Sequence, residues 1–216
     1  MREQTMKRNM AMFAAALTLG TSLSVSAASA DPLLTIQKKW AVCQYQSKDK
    51  DHQVYCLENL IKRNEEALKQ APERQDLKVW LAINKSSLAG AKGGLGALSL
   101  VKEAKVLLEQ VIEKAPETLD GSAYTSLGSL YYQVPGWPIG FGDDDKAEKM
   151  LHKALEINPE GIDPNYFYGD FLAQDGRKAE AIQYLTKAQH AKPRPDRPLA
   201  DQGRQQEIAQ KLGELN

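Results

Sequence analysis

Beyond its first thirty residues this sequence has no apolar run long enough to cross a bilayer, since a spanning helix needs about 20 mostly apolar residues. We therefore expect the mature chain to be soluble. Nor does either sign of charge dominate. The 28 basic and 28 acidic residues cancel, and without a basic face nucleic-acid binding has little electrostatic support. Histidine is scarce: His52, His152 and His190 are the full set. No H-E-x-x-H or paired Cys/His spacing occurs, so no metal site is expected. The acidic run Asp143-Asp144-Asp145 lacks EF-hand spacing and reads as a helix cap. There is no G-x-S-x-G, and nothing pairs a nucleophile with a base. No enzymatic activity and no cofactor are expected.

Cysteine is nearly absent, with only Cys43 and Cys56. An even count in an exported chain favours a disulfide between them over two separate thiols. Closing so short a loop stabilises by about 3 kcal/mol in the chain-entropy description. Export itself is read from the N-terminus. Arg2, Lys7 and Arg8 form a basic region, Met10 to Val25 is apolar, and Ala28-Ser29-Ala30 is a small-x-small cleavage site. Residues 1–30 are thus expected to be a signal peptide cut after Ala30, giving a periplasmic protein that starts at Asp31. Without Arg2, Glu3, Lys7 and Arg8 the remainder carries a net charge of −2. No cysteine lies near the cut to carry a lipid.

What the sequence does contain is a repeat. Ala147, Leu151, Ala154 and Pro159 recur as Ala181, Leu185, Ala188 and Pro193, each 34 positions on. An earlier unit carries Ala104, Leu108, Val111 and Pro116 at the same spacing. Small residues at this interval let two helices cross closely, larger apolar residues fill between them, and proline ends the second helix. This pattern resembles the tetratricopeptide-repeat (TPR) family, whose period is about 34 residues. The resemblance implies an all-α, TPR-type α-solenoid of about four helix-turn-helix units. Their spans are about 33–72, 77–116, 122–159 and 163–193 within a domain at 31–216. A C-terminal capping helix at 199–215 bears Ile208, Leu212 and Leu215 on one stripe. Between them Arg194 to Pro198 reads as extended.

Two inter-helix turns are enlarged. The stretch from Gly90 to Gly96 is expected as a glycine-rich loop; it follows a helix and lacks the full G-x-G-x-x-G pattern, so it is not a nucleotide site. The other, Val134 to Gly142, mixes prolines and glycines with Trp137, Ile139 and Phe141. Such a loop either folds back to bury those side chains or serves as a binding lip.

In TPR proteins the first helix of each unit lines the concave face. By position, the resemblance places Ser129, Tyr132 and Gln133 there, then Tyr166, Asp170 and Gln174, with ordinary packing of the two tyrosines as the other reading. Rings, amides and a carboxylate suit a polar peptide or small ligand. The order Tyr131-Tyr132, Pro135-Gly136-Trp137, Gly140-Phe141-Gly142 is similar, over about Leu127 to Leu185, to the T-component-like TPR proteins of TRAP transporters. That resemblance implies a periplasmic protein binding a small ligand or a solute-receptor protein. The expected function is an exported scaffold holding a protein or peptide partner of the cell envelope on its concave face. The alternative is a small-ligand-binding accessory of a TRAP-type transporter.

Overall fold

The computed structural model describes residues 31–215; the expected signal peptide lies outside the described residues. Among the described residues there are nine α-helices and no strand: α1 Pro32–Tyr45, α2 Lys50–Gln70, α3 Gln75–Lys92, α4 Leu95–Lys114, α5 Ser122–Gln133, α6 Asp144–Ile157, α7 Ile162–Gln174, α8 Lys178–Gln189 and α9 Pro198–Leu215. Aspartates start three of them. Asp31, Asp49 and Asp143 each accept a hydrogen bond from a backbone N–H of the first turn, on Leu33, His52 and Lys146. Each cap satisfies a donor that the helix itself leaves unpaired. Gly176 ends α7 at φ 80°. There the Arg177 N–H donates to Leu172 O and the Gly176 N–H to Ala173 O, the paired bonds that close a helix on a left-handed glycine.

The repeat has a direct packing meaning. Ala104, Ala147 and Ala181 are wholly buried, as are Leu108, Leu151 and Leu185, and then Val111, Ala154 and Ala188. Leu151 and Leu185 meet the first helix of their own unit at a glycine, where that helix has no side chain. A Cβ on Gly128 would lie 2.7 Å from Leu151 Cγ, and one on Gly169 2.8 Å from Leu185 Cγ. The close crossing therefore needs glycine at both positions. The architecture is an all-α solenoid of the TPR type.

The glycine-rich stretch is not the loop expected. α3 continues through Gly90 to Lys92, and α4 begins at Leu95. Only Gly93 and Gly94 make the turn, at φ 66° and 65°. The inserted residues lengthen both helices because Ala and Lys are strong helix formers. The added turn also buries Ala91 beside Leu88 and Ala89 of the same helix, which offsets the roughly 1 kcal/mol a helical glycine costs.

Cys43 and Cys56 are joined by a disulfide that ties the end of α1 to α2. Both lie in an apolar cluster with Trp40, Leu57, Leu60, Leu77 and Trp80. A larger cluster runs through α3 to α8. A third joins Ile208 of α9 to Tyr166, Leu185 and Ala188.

The last helix does more than cap. α1, α3, α5, α7 and α9 each touch the next in that series, and α9 touches α1. The even-numbered helices contact only their chain neighbours and form the outer layer. The array therefore closes into a ring of five inner helices. Closure is specific: Ala200 of α9 enters the N-terminal cluster. Gly203 lies so near Tyr45 that a Cβ would come within 2.4 Å of its ring.

Candidate functional site: a ring cavity and an exposed aromatic loop

Closure turns the inner face of the solenoid into a cavity of about 810 Å³, within the range of small-molecule sites. Trp40, Tyr45, Trp80, Tyr166 and Phe167 supply aromatic wall, while α3 and α5 contribute Ser86, Ser87, Thr125, Ser126 and Ser129. Trp40 Nε1 donates to Ser87 Oγ at 2.8 Å, tying α1 to α3. The rim includes Leu119 and Asp120, both at positive φ (52° and 54°), a conformation that is uncommon outside glycine.

The wall where α7 meets α9 is charged. Asp163 accepts from Arg194 Nη1 at 2.6 Å and from Arg204 Nε at 3.0 Å. Burial raises its pKa, but the surrounding guanidinium groups of Arg204, Arg194 and Arg197 more than reverse this, and the carboxyl is held far below its usual range. Asp201 takes the other side of Arg194 at 2.6 Å. Glu207 pairs with Arg204, whose guanidinium stacks 4.1 Å from the Tyr166 centroid and 4.7 Å from that of Phe167. Arg197 lies 5.0 Å from the centroid of Trp80. Burial and the neighbouring Arg194 push its pKa down to about 10.

The residues singled out from the sequence fall into three places. Ser129, Gln133 and Tyr166 line the cavity. Tyr132, Asp170 and Gln174 make a hydrogen-bonded network beside it. Tyr132 Oη donates to Asp170 Oδ2 at 2.8 Å and Gln174 Nε2 donates to the same oxygen at 3.0 Å. Gln133 Nε2 donates to Tyr132 Oη at 3.2 Å, and Lys211 of α9 reaches Asp170 at 3.0 Å. Burial, and then Asp170, raise the Tyr132 pKa well above the usual phenol value, so Tyr132 is a neutral donor that helps fasten α5, α7 and α9 together.

Trp137 and Phe141 lie on the loop between α5 and α6. Phe141 is half-buried edge-on against Tyr131, with centroids 5.9 Å apart. Trp137 and Ile139 face solvent, 90% and 61% exposed. The loop thus does not bury all its apolar side chains, yet it is tightly built. Gly142 N–H donates to Pro135 O, Ile139 and Gly140 N–H both donate to Gly136 O, and Asp143 N–H donates to Tyr131 O. A Cβ on Gly142 would stand 2.0 Å from Val134 O, and one on Gly140 2.4 Å from Pro135 O.

The sequence reading passed over the arginine wall. Its signal was present in the Arg194-Pro195-Asp196-Arg197-Pro198 segment followed by Arg204, but nothing local announces that this segment faces α1 and α3.

Residues 139–205 match the family model described as tetratricopeptide repeat. No curated protein matches the chain. Among solved structures, a thermophilic TPR protein of Thermus thermophilus is similar at 17% identity and a TM-score of 0.38, covering 84% of this chain and 98% of that one.

Proposed function

We propose that the protein is an exported interaction scaffold of the cell envelope that engages a protein partner through the Trp137 loop. The repeat match over residues 139–205 supports an interaction role. The observation that carries the reading is Trp137, 90% exposed on a loop whose backbone is locked by its own hydrogen bonds and glycines. A large apolar ring held rigidly in water is a preorganised anchor, and buried aromatic anchors dominate protein interfaces. The cell-envelope assignment rests on the export signature at residues 1–30 and on the Cys43–Cys56 bond, since disulfides persist in oxidising compartments. A folded partner would meet this loop rather than the inner face, because closure leaves that face as the wall of a cavity of about 810 Å³.

Crosslinking in the intact envelope, followed by recovery of the tagged protein, tests the proposal. The wild type captures a defined partner and Trp137→Ala loses it. Equal recovery by both, or a mature N-terminus elsewhere than Asp31 in a cytoplasmic fraction, would refute it.

The cavity favours a second reading, a small-ligand-binding protein; its assignment as an accessory of a TRAP-type transporter rests on the sequence resemblance over about Leu127 to Leu185 alone. The cavity's polar and aromatic lining and its volume fit a small molecule. Native mass spectrometry of the protein purified from the envelope would show a bound small molecule; an unliganded mass throughout would count against this reading.

A further inference from the structure

The arginine wall of the cavity is matched to acids with one exception. Asp163 serves Arg194 and Arg204, Asp201 serves Arg194, and Glu207 serves Arg204. Arg197 forms no ion pair among the described residues. Its Nε is buried and without a hydrogen-bond partner. The Trp80 ring beneath it offers its π-face but no acceptor in the guanidinium plane, where the fork of N–H donors points. A half-buried cation with no acid in direct contact is costly, even with Asp163 and Asp201 attracting it at longer range. Here the unmet charge borders a partly open space large enough for a ligand.

We propose that the cavity binds a small organic monocarboxylate, its carboxylate seated in the guanidinium plane of Arg197 between α3 and α9. This deepens the small-ligand reading above and rests on it. Carboxylate is the match because its two oxygens meet the donor fork in parallel. Among the described residues Arg197 is the one arginine of the lining without an ion pair, which favours a single negative group; Lys192, the lining cation that also lacks one, is exposed to solvent. At the rim, Asp120 is exposed, and Glu160 is already occupied by Lys187 at 2.8 Å. The remainder of the ligand would lie against Trp40 and Tyr166 and within reach of Ser126 and Ser129.

The test uses the mature, disulfide-intact protein. Acetate, butyrate and benzoate are each compared with their neutral amides at matched ionic strength, by thermal shift and by fluorescence of the cavity tryptophans. Succinate probes the single-charge limit. The expected result is saturable binding of at least one monocarboxylate, with its amide and succinate much weaker. Arg197→Gln should weaken that binding by about tenfold or more, the usual effect of deleting a charge-assisted hydrogen bond. Arg197→Lys should retain part of it. The glutamine variant should remain folded without ligand, because Arg197 makes no direct ion pair, and its repulsion by Arg194 opposes its longer-range attraction to Asp163 and Asp201. Acid and amide binding alike, acid binding undiminished in Arg197→Gln, or no acid acting beyond sodium chloride would each overturn the proposal. If a neutral compound binds and is indifferent to Arg197, the carboxylate inference fails while the small-ligand reading stands.

Discussion

Trp137 and Phe141 are four residues apart on one loop, and their surroundings give them opposite work. Phe141 packs on Tyr131, with the Lys105 ammonium 5.8 Å from its centroid, and so holds the loop to the body of the protein. Trp137 touches little. Trp137→Ala should leave stability within about 0.5 kcal/mol, as for surface substitutions generally, while abolishing partner capture. Urea denaturation beside the crosslinking assay separates the two effects. Gly142 is the opposite case. Its Cβ would overlap Val134 O at 2.0 Å, and a backbone atom cannot step aside as a side chain can. Gly142→Ala should destabilise by about 1–3 kcal/mol, the cost of forcing atoms into a filled space, read as a lower urea midpoint with an unchanged slope.

Among the elements, the repeated pairs were the most legible. The 34-residue recurrence works because each position has one packing task, and Gly128 against Leu151 and Gly169 against Leu185 perform the same one. The stretch from Gly90 to Gly96 was misread because glycine was weighed over its alanine and lysine neighbours, and the burial that decides between loop and helix comes from distant residues. The candidate site was legible only in part. Position along a repeat unit brought Ser129, Gln133 and Tyr166 to the inner face. No local pattern says that Arg197 will meet Trp80, or that Asp170 will be engaged by Lys211, because those contacts depend on where α9 docks. The least regular pair, α1 and α2, is the one fastened covalently. Reduction of Cys43–Cys56, or its replacement by two serines, should cost about 3 kcal/mol by releasing chain entropy in the unfolded state. A melting curve indifferent to reductant would show that the bond is not formed in solution.

At the scale of the whole molecule, closure depends on the junction where Asp163 of α7 binds the arginines of the α9 region. Because its folded-state pKa lies below the ordinary aspartate value of 3.8, this carboxylate adds stability at neutral pH. That contribution is lost as pH falls below 3.8 toward the folded-state value. Glu207, whose pKa burial raises, acts in the other direction and blunts the effect. Between pH 6 and pH 3 the wild type should therefore lose stability, and Asp163→Asn should be weaker at pH 6 but lose less on acidification. Parallel pH profiles for the two proteins would remove Asp163 from the account.

A chain of stacked hairpins with free ends can gain a unit by tandem duplication, because each unit answers only to its neighbours. Here tail meets head, so the number of units and the rotation between them must together deliver Gly203 to Tyr45. Another hairpin spliced between α6 and α7 would enlarge the circumference and draw those two residues apart. The protein has exchanged the freedom to grow for an interior of fixed size, and its diversity must come from the residues facing inward rather than from added length.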